Sequence, residues 1–324
     1  VARGALVAIV AFVVVASAGA APRTFTNPVF RTDFPDPFVL RVGGTYYAYA
    51  TNTALENVQT LRSSDLVHWR RGKDAMPELA PWTLRGRTWA PEVVRLSSHR
   101  YVLYYTARSF DLDAQCVGRA ASSSPAGPFR DRSTKPLVCQ KAEGGSIDAS
   151  PFRDPSGRLY LLWKNDGNCC GKKTYLYAQR LSSLGLSLVG KRVRLVKNDA
   201  AWEGTTVEAP TMWKQGGKYF LFFSANVYNT EFYAVGYATC RGPLGPCSDS
   251  KDNPILTSKC RAVGPGHQTL IRDRRGRVWI VYHAWVPGKV GSVTPGRVLW
   301  IDRLEWRGGK PVVHGPTCTP QPSP

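Results

Sequence analysis

The sequence predicts an all-β chain folded as a five-bladed β-propeller, with four-stranded antiparallel blades round a central channel. Three observations predict it. One aromatic and aliphatic run recurs five times, at 44–50 (GTYYAYA), 99–105 (HRYVLYY), 157–163 (GRLYLLW), 217–223 (GKYFLFF) and 276–282 (GRVWIVY). The starts are separated by 55, 58, 60 and 59 residues, a period that belongs to repeated supersecondary units. Another strand-like segment follows four of the starts at offsets of 17, 19, 20 and 19, near Leu61, Gly118, Tyr177 and Gly236.

Each run is too continuously apolar to face water on one side, so it reads as an interior strand covered on both faces. Several strands per period, separated by turn residues, match a propeller blade. In chain order the blades span roughly 33–85, 86–142, 143–203, 204–262 and 263–316. A β-sandwich gives no reason for four such similar intervals. The 30 Gly and 24 Pro among 324 residues fit many short strands and turns, and no helix-period segment is long enough to anchor a helical fold.

The flanks carry different signals. Residues 1–21 hold a single charge, Arg3, then an apolar run from Ala5 to Ala16 and the small residues Ala18, Gly19 and Ala20, the pattern of a secretory signal. The apolar run is shorter than the roughly 20 residues a spanning helix needs, so no transmembrane span is expected in the mature chain. The propeller is then 22–316, followed by a Pro-rich tail, 317–324, expected to lie loose. Eight cysteines without CxxC spacing, in a secreted, extracellular chain, imply disulfides. Cys240 with Cys247 is a plausible local closure, whereas adjacent Cys169 and Cys170 are expected to bond to different partners. The net charge of +20 is scattered through turns with no basic helix or nucleic-acid motif. The expected partners are acidic surfaces such as cell walls or pectic polymers, with no nucleic acid.

In a propeller the innermost strands line the channel, so equivalent positions of different blades converge. Counting back eight or nine residues from each turn gives Asp36, Ala90, Asp148, Glu208 and His267, with Trp89 and Glu92 flanking Ala90. A lone carboxylate on such a strand is expected to be a satisfied structural group. Three carboxylates and a histidine together, beside a tryptophan, point to a polar pocket with an aromatic wall. Sugar hydrolysis requires that set: an acid for the leaving oxygen, a carboxylate for the water or the carbon, and a flat apolar surface for the ring.

From about Asn27 to Val313 the chain resembles glycoside hydrolase family 43. The motifs that carry the resemblance are Phe34-Pro35-Asp36-Pro37, Trp89-Ala90-Pro91-Glu92, Ser146-Ile147-Asp148-Ala149-Ser150, Val207-Glu208-Ala209-Pro210, and Gly264-Pro265-Gly266-His267 followed by Tyr282-His283-Ala284. The resemblance implies a five-bladed propeller and an inverting glycosidase with Asp36 as general base, Glu208 as general acid and Asp148 as the residue that orients the acid and raises its pKa. Inversion implies carboxyl groups roughly 6.5 to 9.5 Å apart. Trp89, Ala90, His267 and Arg297 are implied in substrate binding. His267 also resembles a histidine that helps hold a hydrated Ca2+ in the channel; the alternative is a histidine hydrogen-bonded to a carboxylate without metal. Ala209 and Gln268 depart from the smaller residues common at those places, a departure that points to a narrower channel wall.

Phe152-Arg153-Asp154-Pro155 resembles a motif of fructan-cleaving propellers, but Asp154 sits where other blades place turn residues and reads as one. His68, His99, His283 and His314 fall outside the converging set and read as structural or surface groups. The implied substrates are arabinose- or xylose-containing polysaccharides or oligosaccharides, with α-L-arabinofuranosidase or arabinanase activity first and β-xylosidase the alternative. A propeller that binds glycans without turnover is the rival of another class, and it needs no acid and base pair.

Overall fold

The computed structural model describes residues 23–324 together with Val1, Ala2 and Gly4, and the expected signal segment otherwise lies outside the described residues. The chain opens with β1 (Thr24–Phe25) and then forms blade one from β2 (Phe38–Val42), β3 (Thr45–Ala50), β4 (Gln59–Ser63) and β5 (Arg70–Arg71). Blade two is β6 (Trp89–Ser97), β7 (Arg100–Ser109) and β8 (Ala114–Ser122). Blade three is β9 (Ser146–Arg153), β10 (Leu159–Asn165), β11 (Tyr175–Leu181) and β12 (Leu188–Lys197). Blade four is β13 (Val207–Gln215), β14 (Lys218–Ala225), β15 (Ala234–Cys240) and β16 (Cys247–Asp249). Blade five is β17 (Val263–Arg272), β18 (Val278–Trp285), β19 (Val298–Arg307) and β20 (Lys310–His314), and β21 (Gln321–Pro322) ends the chain.

Every blade is an antiparallel sheet in sequence order, and the strands β2, β6, β9, β13 and β17 touch one another in a closed ring. Blade two departs from the four-strand expectation. Its outer position is taken by a segment whose β-pairing with β8 is confined to isolated bridges, Val117 with Val138 and Ala121 with Arg130. Pro125, Pro128 and Pro136 lie in that segment, and proline cannot donate to a ladder.

The repeated runs are the second strands, and their continuous hydrophobicity has a simple cause. Successive side chains point to opposite faces, and both faces are covered by neighbouring blades. In β14, Phe220 and Phe222 pack toward blade five while Leu221 and Phe223 pack toward blade three. In β18, Ile280, Tyr282 and Ala284 face blade four, and Trp279 and Val281 face blade one. The core is thus a ring of interfaces between blades, each buried large side chain contributing about 1.5–3 kcal/mol.

The ring is closed by the two ends of the chain. β1 pairs with β21, Thr24 opposite Pro322 and Phe25 opposite Gln321. Asn27 exchanges hydrogen bonds with Ile301, donating from Nδ2 at 2.8 Å and accepting at Oδ1 at 3.1 Å. The tail expected to be loose is therefore held: Gln321 is buried, and Arg277 donates to the Ser323 carbonyl.

A second device joins the blades. Asp36, Ala90, Asp148, Ala209 and His267 all have left-handed backbones, with φ of 56°, 45°, 56°, 52° and 49°. In blades two to five these residues sit at a break in register between the first and second strands. Such a bulge re-aims the backbone. Four of the five, all but Ala209, turn the N–H toward the end of the preceding blade's second strand. Ala90 donates to Thr51 Oγ1 at 2.9 Å, Asp148 to Thr106 Oγ1 at 3.2 Å, His267 to Ser224 Oγ at 2.8 Å and Asp36 to His283 Nδ1 at 3.0 Å.

The cysteines form three disulfides: Cys116–Cys139, Cys240–Cys247 and, against expectation, the adjacent pair Cys169–Cys170. The adjacent pair closes within the turn Gly167–Cys170, which keeps both thiols side by side. Cys260 and Cys318 are free, and the Cys318 thiol is raised first by burial and then by the Cys260 thiol beside it.

Two outcomes are expected. Ser224→Ala removes the acceptor for His267 N–H and is expected to cost about 1–3 kcal/mol in urea unfolding; no measurable loss would show that these bonds add nothing to cohesion between blades. Cys260 and Cys318 are expected to appear as one linked peptide in non-reducing digests of air-oxidised protein, and two separately alkylated peptides would contradict this.

Candidate active site

A cavity of about 360 Å3 opens at the end of the channel where the inner strands begin, and Asp36, Trp89, Asp148, Glu208, His267 and Arg297 all lie on its wall. Five of these six come from the bulged heads of the inner strands, and Arg297 from the turn before β19. The inner-strand positions form two tiers rather than one. Asp36, Asp148 and His267 occupy the left-handed position, but in blade four that position belongs to Ala209. Glu208 is one residue earlier and is equivalent to Trp89 and Ile147. The shift arises in the β13–β14 hairpin, where Gly216 and Gly217 make a two-residue turn and a count of nine overshoots by one. Ala90, expected at the sugar, does not line the cavity; its N–H is spent on Thr51.

Asp36 is surrounded by cationic and donor groups. Arg297 Nη1 donates to Oδ1 at 2.6 Å, Thr51 Oγ1 donates to Oδ2 at 2.5 Å, and His267 Nδ1 stands 3.3 Å from Oδ1. Burial by itself would raise the carboxyl, but Arg297, then His267 and Thr51, outweigh it and hold Asp36 well below the usual carboxylate range. Arg297 is delivered by the Pro295-Gly296 turn, where Gly296 has φ of +76° and a Cβ would come within 2.1 Å of Asp33 Oδ1. Its guanidinium also lies 4.9 Å from the centre of the Tyr228 ring.

His283, expected to be a structural group apart from the converging set, lies against Asp36. Burial, then Arg297, pushes its pKa well below the ordinary value, so it is neutral. With Nδ1 accepting the Asp36 N–H, the ring proton is on Nε2, which finds no partner among the described residues.

Glu208 has a different setting. Oε1 accepts from Tyr233 OH at 2.7 Å and Oε2 from Lys164 Nζ at 3.0 Å. Tyr233 reaches it because Gly266 leaves room: a Cβ there would lie 2.1 Å from the Tyr233 ring. Lys164 is fully buried and also donates to Asn168 Oδ1 at 2.7 Å. It occupies the place, seven residues after the start of its run, that holds Thr51, Thr106, Ser224 and His283 in the other blades. An ammonium cannot accept, so the Ala209 N–H turns instead to Asp148 Oδ2 at 3.0 Å. Asp148 is raised to about 6, chiefly by burial, with His267 and Lys164 opposing and the Glu208 charge adding to the rise. Asp166, also on the wall, is raised to about 6 by burial despite Lys164.

Lys164, Tyr233 and Asp166 were not singled out from the sequence, and His283 was read only as a structural or surface group. The signal for Lys164 and His283 was present, since both stand at the same distance into their runs, but it becomes meaningful only once that position is known to meet the next blade. Asp154 accepts from the N–H groups of Ser156 and Arg158 and is a turn residue. Gln268 is buried and donates to the Ala209 carbonyl while accepting from Ser224, so it ties blades four and five together.

Calcium takes six to eight oxygen ligands. Among the described residues no three His, Cys, Asp or Glu side chains are grouped to hold an ion, and His267 turns Nδ1 to Asp36. The residues present do not fit direct metal ligation.

The family model for Glycosyl hydrolases family 43 matches residues 25–311. A protein of Streptomyces chartreusis named extracellular exo-alpha-(1->5)-L-arabinofuranosidase is 30% identical over 302 residues, covering 87% of this chain and 88% of its own. A beta-D-galactofuranosidase of Aspergillus niger is 27% identical over 292 residues, covering 86% and 81%. The crystal structure of a thermostable family-43 glycoside hydrolase superimposes with a TM-score of 0.83 at 32% identity, covering 93% of this chain and 99% of that one. The chain belongs to glycoside hydrolase family 43 and is an inverting glycoside hydrolase.

The raised Asp148 has a consequence for stability. Between about pH 4 and about pH 6 the folded chain holds a proton there that the unfolded chain has released, so stability falls as pH rises through that window. Asp148→Asn keeps an acceptor for Ala209 N–H and is expected to stabilise the protein at pH 7.5 by on the order of 2 kcal/mol. The gain should shrink toward pH 4. Urea titrations of both proteins at the two pH values check this, and a pH-independent difference would refute it.

Proposed function

We propose that this family 43 chain is a secreted α-L-arabinofuranosidase, with Asp36 as general base, Glu208 as general acid and Asp148 as the group that holds the acid's orientation and charge state. The observation that carries the reading is the contrast between two carboxyls on one cavity wall. Asp36 is held ionised by Arg297 and His267, as a base must be. Glu208 is gripped by Tyr233 and Lys164 with one edge toward the cavity.

In this reading Asp36 removes a proton from water as its oxygen attacks the anomeric carbon, and Glu208 gives its proton to the departing oxygen. Lys164 then faces the carboxylate that proton donation creates. Asp148 repels that charge and offers its own carboxylate to Ala209 N–H, fixing the residue next to Glu208. Exchange with solvent returns each carboxyl to its starting state. A cavity of about 360 Å3 lies near the lower end of the range for ligand pockets, which suits one terminal sugar unit. Names of relatives that specify five-membered sugar rings support the furanoside choice. Relatives named extracellular and three disulfides support secretion.

The test is a panel of aryl α-L-arabinofuranosides and aryl β-D-xylosides with graded leaving groups, assayed with wild type, Glu208→Gln and Asp36→Asn. Glu208→Gln is expected to lose about 10²–10⁴-fold on poor leaving groups and much less on good ones, because only poor ones need the proton. Asp36→Asn should lose both. Equal activity of the three proteins would sink the roles, a preference for xylosides would make the chain a β-xylosidase, and binding without turnover would make it a glycan-binding propeller.

A further inference from the structure

Half of the residues on the cavity wall are Asp, Glu, His or Arg, and the larger apolar surfaces come from four others. Trp89, Ile147, Tyr228 and Cys169 supply them. Cys169 is joined to its own neighbour, Cys170, and both are exposed. A disulfide between adjacent residues presents two polarisable sulfur atoms with no strong hydrogen-bonding capacity, a surface suited to the C–H face of a sugar ring.

The segment that carries it is held in place from both sides. Asn165 donates to the carbonyls of Glu143 and Lys173 and accepts from Tyr175 N–H at 2.7 Å. Gly167 is packed so closely that a Cβ would lie 2.6 Å from the Lys173 carbonyl oxygen. Asn168 accepts from Lys164 Nζ at 2.7 Å, and the same ammonium reaches Glu208. The sulfur pair is therefore fixed relative to the residue proposed as the acid.

We propose that the Cys169–Cys170 disulfide is a sugar-contacting face of the cavity that, with Trp89, determines specificity for a pentofuranosyl ring. The inference rests on the arabinofuranosidase reading for the identity of that ring. It adds a contact formed by two side chains that take no part in proton transfer. Since the contact holds the sugar before and during reaction alike, its loss weakens binding and leaves the chemical step nearly unchanged.

The test compares wild type with the double variant Cys169→Ala, Cys170→Ala. On an aryl α-L-arabinofuranoside the variant is expected to show KM raised about tenfold, equivalent to about 1.4 kcal/mol, with kcat within about threefold. Inhibition by L-arabinose should weaken by the same factor, and the preference for arabinofuranoside over xyloside should fall. Wild type treated with a phosphine reductant, with Cys169 and Cys170 alkylation confirmed by mass spectrometry, should reproduce the change without any substitution that could impair folding. The pair Cys240→Ala, Cys247→Ala, in the outer hairpin of blade four, should leave KM unchanged. Unchanged KM and inhibition in both the variant and the reduced protein would overturn the proposal. So would a fall in kcat alone, which would mean that the segment only positions Lys164 and Glu208. Calorimetric titration with arabinobiose and xylobiose separates the two readings. Hydrolysis of neither sugar by wild type overturns the proposed function, whereas equal binding of both by wild type and variant, or binding of neither by wild type, overturns the sulfur contact.

Discussion

The molecule depends on one repeated hydrogen bond between blades. At four of the five junctions a residue in left-handed conformation at the head of the inner strand points its N–H away from its own sheet, and the side chain ending the previous blade's second strand receives it. Left-handed backbone costs on the order of 1 kcal/mol or more for a residue with a Cβ, and it persists where the surroundings over-determine it. Here those surroundings are the neighbouring blade. The bond therefore does two things at once: it ties the ring together, and it fixes the direction in which Asp36, Asp148 and His267 leave the backbone.

The ring of bonds is broken at one junction, and that junction is where the chemistry gathers. Lys164 stands where a hydroxyl or imidazole would accept, and it cannot. The orphaned Ala209 N–H is taken by Asp148, and the lysine is free to meet Glu208. One substitution in the repeat thus links the blade-three carboxylate to the blade-four strand and gives Glu208 a cationic partner. On the opposite side, Arg297 and two imidazoles surround Asp36. Both carboxyls on the cavity wall thus have a cationic partner, Arg297 for Asp36 and Lys164 for Glu208, and Glu208 also accepts from the Tyr233 hydroxyl.

Much of this was legible in the chain. The five runs gave the blades because a strand covered on both faces by neighbouring blades is apolar almost without interruption. The inner strands could be located by counting back from the turns, which found Asp36, Asp148, Glu208, His267 and Trp89. The count failed by one residue in blade four because hairpin length varies, and one residue along a strand exchanges its two faces. It missed Lys164 and left His283 among the structural groups for another reason: their partners Glu208 and Asp36 are in the following blade, 44 and 247 residues away along the chain. The adjacent cysteines were assigned separate partners because the sequence does not show that a turn brings the two thiols together. The tail looked loose because nothing in 317–324 announces the strand it completes with Thr24 and Phe25.

The amino-acid sequence by itself determined the number of blades, the family and the carboxylates that matter, since periodic hydrophobicity and short motifs are local properties of a chain. Only the tertiary structure decided which charged groups surround Asp36, which lysine and tyrosine grip Glu208, and that a cystine turn reaches the cavity. Those facts are set by burial and by distances between different blades, and neither quantity exists until the ring has closed.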